Sequence, residues 1–152
     1  MSSRLRQFLV EAYFGEKDFL TSKVSKKTFI QIDDQDDNDD ITSFCNIFVT
    51  VKNRGRFEIE ILGRIPITQE IADLAEIYNG YADMDSGRIV LDLDVNQIEA
   101  VMDLAKKIHK TSRIGTMIKN PNWTKMAART ISSLYRFVRV IKEYQRTKGQ
   151  IM

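Results

Sequence analysis

Hydrophobic and polar positions along the chain follow two different periods, and the changes of period mark the predicted elements. Residues 43–62 have a period of two, which is typical of half-buried β-strands. Cys45, Ile47, Val49 and Val51 fall on one face, and Phe57, Ile59 and Ile61 share one face of the next strand. Between them the chain reads KNRGR, with an Asn and a Gly that suit the unusual backbone angles of a hairpin loop. The pattern therefore predicts a β-hairpin.

A period near 3.6 predicts helices before and after the hairpin. The first helix spans 3–14, where apolar residues recur on one face and Gly15 follows as a natural stop. The second begins at Thr68, which can cap it, and extends to about Asn79 with Gly80 after it.

Two more helices are predicted in the second half of the chain. Asp94 and Gln97 have the spacing of a capping box at the start of one helix. Asn120 caps the last helix and Pro121 occupies its first position, where the missing N–H has no cost. This helix, 121–148, has an apolar stripe opposite a basic face.

Alternation also predicts strands at 27–32 and 88–94, which gives the element order α-β-β-β-α-β-α-α. Consecutive strands followed by mixed elements indicate an α+β fold, with an antiparallel or mixed sheet of about four strands and helices on one face. A length of 152 residues suits a single domain, 1–152. The opening order of helix, three strands and helix resembles that of small secretion-type chaperones. They are dimeric α+β proteins, typically acidic, and the resemblance is in element order only.

Charge is strongly segregated, although the net charge is only +2. Residues 31–103 carry five bases and seventeen acids, whereas residues 104–152 carry twelve bases and one acid. Such asymmetry indicates an anionic partner. The candidate binding residues are the cations of the last helix and of the hairpin tip: Lys125, Arg129, Arg136, Arg139, Lys142, Arg146, Lys52, Arg54 and Arg56. We expect the partner to be nucleic acid or an acidic protein, although an exposed helix face is often charged without binding anything.

The apolar stripe of the last helix supports a second interpretation. It is about 20 residues long by the helical pattern, more than a small sheet usually covers. Trp123, Leu134, Ile141 and Tyr144 are therefore candidates for packing against another protomer or a partner. In this alternative the chain is a structural, assembly or chaperone-like subunit and a possible homo-oligomer.

The acidic run DDQDDNDD, Asp33–Asp40, forms part of a predicted loop at 33–42. It has neither the glycine nor the closing Glu of a calcium loop, so we expect no specific metal site there. A second imitation of a calcium loop, at 83–94, has Arg88 where the glycine belongs. A solvated loop is the plain interpretation; as a hypothesis, the run competes with external polyanions for the basic helix.

Catalytic chemistry has little support in the sequence. His109 is the single histidine and Cys45 the single cysteine, which excludes paired-histidine sites and internal disulfides. We expect His109 at a helix C-terminus and Cys45 in the core, and we predict no enzyme activity and no cofactor. The apolar runs are far shorter than the roughly 20 residues of a membrane span, and the N-terminus does not resemble a signal peptide. The expected location is the cytoplasm.

Overall fold

The computed structural model describes residues 3–19, 29–32, 45–63, 66–112 and 121–151. In these ranges the chain forms four α-helices and a five-stranded antiparallel sheet, which confirms the α+β class. The predicted loop at 33–42 and the Asn120 cap lie outside the described residues.

The elements follow one another with an additional strand that the sequence pattern did not predict. In chain order they are α1 (Ser3–Phe19), β1 (Phe29–Gln31), β2 (Cys45–Val51), β3 (Arg56–Gly63), α2 (Gln69–Ile77), β4 (Tyr81–Asp83), β5 (Arg88–Asp94), a 3₁₀ turn (Val95–Gln97), α3 (Glu99–Ser112) and α4 (Pro121–Ile151). The sheet order is β1-β2-β3-β5-β4. The predicted stop at Gly15 was wrong, because α1 continues to Phe19. A glycine inside a helix costs only about 1 kcal/mol and does not by itself end the helix.

The β2–β3 hairpin forms as predicted. Val49 pairs with Ile59 in antiparallel register, and the Arg56 N–H donates to the Asn53 carbonyl over 3.3 Å. Both residues inside this turn have positive φ, 61° at Arg54 and 73° at Gly55. Such angles match the right-handed twist of the flanking strands. Gly55 occupies one of the two left-handed positions of the turn, and Arg54 occupies the other.

The two faces of the sheet differ in chemistry. The inner face has rows of apolar side chains such as Val49, Ile59 and Leu91, all fully buried. The outer face has charged residues in the alternate rows, with Glu58 opposite Asp92. Alternation along the strands produces this division, because successive side chains point to opposite faces.

Two predicted helix caps are confirmed by their hydrogen bonds. The Thr68 hydroxyl accepts from the Ile71 N–H over 3.3 Å at the start of α2. Asp94 and Gln97 form the capping box: the Asp94 carboxylate accepts from the Asn96 N–H over 2.8 Å, and the Gln97 side-chain Oε1 accepts from the Asp94 N–H over 3.1 Å.

All four helices contribute to one core against the inner face of the sheet. Leu9 of α1, Leu104 of α3 and Phe137 of α4 are each fully buried in it. Among the described residues, no helix combines the length and the hydropathy that a bilayer span requires.

Candidate anion-binding surface

A row of cations lies along the outer side of α4. Lys125, Arg129, Arg136 and Arg139 follow the three- and four-residue steps of one helix face, opposite the buried Leu134. Lys125, Arg136 and Arg139 are exposed and Arg129 is half-buried. At 1.5 Å per residue the row is about 21 Å long. We call these four residues the basic row.

Contacts with α1 fix the position of Arg136 in this row. Its Nη2 donates to the Ala12 carbonyl over 3.4 Å, and its guanidinium carbon lies 4.4 Å from the centre of the Tyr13 ring. A planar guanidinium stacked on an aromatic ring keeps N–H donors at its edge. The contact therefore orients Arg136 without consuming all of its hydrogen-bonding capacity.

A shallow cleft of about 290 Å³ lies between α1 and α4 beside the basic row. Phe8, Ala12 and Val140 provide apolar walls, and Arg136 and Arg139 provide positive charge. Glu143 also lines the cleft. The arrangement offers two guanidinium groups next to a small apolar surface.

Tyr13 lies next to the cleft, against the guanidinium of Arg136. Its hydroxyl is buried and has no hydrogen-bond partner among the described residues. Burial raises the pKa of Tyr13 well above its usual range, although the positive charges of Arg136 and Arg139 act in the opposite direction. The phenol is therefore neutral and adds no negative charge beside the basic row.

The other two predicted cations of α4 have carboxylate partners. Lys142 Nζ lies 2.9 Å from Glu99 Oε1, which connects α4 to α3. Arg146 pairs with Glu143 one turn earlier in the same helix. Each partnership lowers the pKa of the carboxyl group concerned, chiefly through the side-chain hydrogen bond. These two cations are thus partly neutralised, whereas no ion pair of Arg136 or Arg139 is found among the described residues.

The cations of the hairpin tip do not join the basic row. Lys52 Nζ lies 3.2 Å from Asp92 and 3.6 Å from Glu58, and Arg56 lies 3.2 Å from the same Asp92. These partners occupy the outer face of the sheet, whereas α4 covers the inner face. Arg54 is exposed at the turn. Lys52 and Arg56 therefore lie on a surface separate from the basic row.

Three of the four residues predicted to pack against another protomer are buried inside this chain. Leu134 and Ile141 are fully buried and Tyr144 is 8% exposed, all within the core of this chain. The ring of Tyr144 packs edge-on against Phe8 of α1, with centroids 5.4 Å apart. The stripe was longer than the sheet needs because α1 and α3 cover it as well. The side chain of Trp123 lies outside the described residues.

Sequence reasoning missed the contribution of α1 to this site. The apolar face of α1 was visible in the pattern, but nothing in it showed that Phe8, Ala12 and Tyr13 would lie beside Arg136. Cys45 begins β2 opposite Gly63, and His109 is exposed in the last turn of α3 as predicted. Among the described residues, no group of three or more His, Cys, Asp or Glu side chains is placed to hold a metal ion.

Comparison with known proteins adds no functional information. The chain matches no protein-family model, no curated protein and no solved structure.

Proposed function

We propose that this chain is a non-catalytic interaction module that binds an anionic partner, a nucleic-acid backbone or an acidic protein surface, through the basic row of α4. The observation that carries the proposal is the pair Arg136 and Arg139 beside the α1–α4 cleft. Among the described residues, Arg136 is oriented by the Ala12 carbonyl and the Tyr13 ring.

The length of the row suits a polyanion better than a single small anion. Duplex DNA carries one charge per about 1.7 Å of its axis, so about 21 Å of helix faces several phosphates. Arginine binds phosphate and carboxylate oxygens in a bidentate manner, and neither mode requires a particular base sequence. We therefore expect binding that depends strongly on salt and weakly on sequence.

The test is fluorescence anisotropy with labelled single- and double-stranded oligonucleotides and with labelled polyglutamate, each across a salt series. Arg136→Gln combined with Arg139→Gln should weaken binding and reduce the slope of log K against log salt by up to about 2. The matched control is Lys110→Gln combined with Lys142→Gln, which removes the same charge at residues that do not line the cleft. An equal loss in both double variants would contradict a site at the cleft, and no binding to any probe at low salt would contradict the proposal itself.

In this proposal the acidic run Asp33–Asp40 is an internal competitor for the basic row. Six carboxylates in the same chain as the basic row would raise the threshold for an external polyanion. Replacing the six Asp residues with Ser should then tighten binding to the oligonucleotides at low salt. Unchanged affinity would mean that the run has no such role.

The alternative proposal, an assembly or chaperone-like subunit, does not use the stripe of α4. Leu134 and Ile141 are fully buried inside the chain, so they have no apolar surface to offer a second protomer. A different surface, at the edge of the sheet, is the better candidate for contact with a protein.

A further inference from the structure

Three exposed apolar side chains, together called the patch, lie in or beside the edge strand β4. Ile77 is 70% exposed at the end of α2, Tyr81 is 48% exposed at the start of β4, and Met84 is 62% exposed in the turn after it. Among the described residues, the remaining large exposed hydrophobic side chain is Tyr135, at 37%. At no more than about 3.6 Å per residue, each of the three lies within about 15 Å of the next. Apolar patches of this kind mark interaction sites.

The backbone of β4 is open on one side. β4 pairs with β5 through Tyr81–Val90, Ala82–Ile89 and Asp83–Arg88, and it is the last strand in the sheet order. In an antiparallel pair, alternate residues direct their N–H and C=O groups away from the partner. Edge strands are commonly protected by Pro, by charged side chains, especially Lys, and by being very short. β4 has three residues and one charged side chain, Asp83, and it contains neither Lys nor Pro.

The edge is held in a fixed position before any partner binds. The Asp92 N–H donates to the Tyr78 carbonyl over 3.0 Å, and the Gly80 N–H donates to the Ala75 carbonyl over 2.8 Å. The absence of a side chain at Gly80 allows this close approach, because a Cβ there would lie 1.7 Å from the Val90 carbonyl oxygen. A strand that is already in place loses less conformational entropy when a peptide pairs with it.

The charges around the patch are negative. Asp73 and Glu76 of α2 and Asp83 and Asp85 around β4 are all exposed. The nearest cation on β5, Arg88, has its Nε 3.1 Å from Glu60, interacts with the Tyr81 side chain and lies opposite Asp83 of β4. The four acids outnumber this one base. A partner that covers the apolar side chains would therefore meet a negative surround, which favours basic side chains.

We propose that β4 binds an extended segment of a partner protein, in which apolar and basic side chains alternate, as a sixth strand of the described sheet. Backbone hydrogen bonds to the open side of β4 would provide pairing, and the side chains of Ile77, Tyr81 and Met84 would contact the apolar positions. The surface is separate from the basic row, so the inference does not depend on the proposed function.

The test uses a labelled seven-residue peptide of alternating lysine and valine, capped at both ends, and the corresponding peptide of glutamate and valine. The protein is the full chain, as wild type, as Ile77→Ser with Met84→Ser, and as Tyr135→Ser. None of these substitutions changes the net charge. We expect the lysine–valine peptide to bind the wild type and Tyr135→Ser equally, and to bind the Ile77/Met84 variant at least tenfold more weakly. Circular dichroism confirms that each variant is folded.

Amide hydrogen exchange gives an independent readout of strand addition. The lysine–valine peptide should slow exchange within Tyr81–Asp83, and the glutamate–valine peptide should not. Four results would overturn the inference: no binding, equal binding of both peptides, undiminished binding to the Ile77/Met84 variant, or no protection in β4. If the basic peptide bound to the acidic run Asp33–Asp40 instead, its affinity for the Ile77/Met84 variant would be undiminished. This result distinguishes binding at the acidic run from binding at β4.

Discussion

The ring of Phe137 on α4 meets the ring of Phe57 on β3 edge to face, with centroids 5.4 Å apart and planes at 74°. Both side chains are fully buried, so this pair joins the basic helix to the centre of the sheet. The site depends on this contact because it holds α4 in position beneath α1.

Phe137→Ala should lower the free energy of unfolding by about 3–5 kcal/mol, since it removes a buried ring and leaves a cavity. Urea denaturation followed by circular dichroism measures the change. Tyr135→Ala, on the exposed side of the same helix, should cost about 0.5 kcal/mol or less. Similar losses in the two variants would mean that α4 does not pack through Phe137.

Arg54→Asn should stabilise the protein by up to about 1 kcal/mol, because arginine at φ 61° is in a left-handed conformation that Asn adopts more readily. The same denaturation experiment applies. Arg54→Gln removes the charge but does not make the left-handed backbone conformation more favourable, so it serves as the control. If Arg54→Gln stabilises as much as Arg54→Asn, charge rather than backbone conformation is responsible.

Glu99→Gln should reduce thermal stability at neutral pH and have progressively less effect in acid. Lys142 lowers the pKa of Glu99, so the ion pair stabilises the folded state above the usual Glu pKa of about 4.3. That contribution is lost as the pH falls through the lowered pKa. Melting temperatures of wild type and variant between pH 7 and pH 3 should therefore converge. A difference that persists at the lowest pH would show that packing, not charge, is lost.

Tyr13→Phe should raise the free energy of unfolding by about 1 kcal/mol, because it removes a buried hydroxyl that lacks a partner among the described residues. The raised pKa of Tyr13 adds a pH dependence. Because burial favours the protonated phenol in the folded state, this group adds no pH dependence below the usual Tyr pKa of about 10, and it makes the wild type less stable as the pH rises further.

The Phe variant should lose less stability than the wild type above pH 10, a difference visible in urea titrations at pH 9 and pH 11. Tyr135→Phe is the control, since Tyr135 is partly exposed on α4. Equal alkaline losses in wild type and Tyr13→Phe would contradict the burial of this hydroxyl.

Features determined by neighbouring residues were predictable from sequence. The Asp94–Gln97 capping box and the Gly55 turn depend on residues a few positions apart, and both were confirmed. The three-residue strand β4 was not predictable, because too few residues alternate in it and its pairing with β5 depends on the fold. The α+β class followed from the longer strands.

The candidate site was only partly predictable for the same reason. The cations of α4 were visible in the sequence, but their partners come from other elements: Lys142 meets Glu99 of α3, and Arg136 meets Tyr13 of α1. The sequence also gave no means of placing Lys52 on the opposite side of the sheet from α4. Contacts between residues that are distant in the sequence determine which cations have a carboxylate partner and which lie at the cleft.

The contact between Arg136 and Ala12 joins residues 124 positions apart. A ribosome that adds about 5–20 residues per second needs roughly 6–25 s to make the intervening chain. During that interval Leu5 and Leu9 of α1 have no α4 to cover them. The apolar face of α1 therefore remains accessible to chaperones or to other nascent chains until α4 has been synthesised.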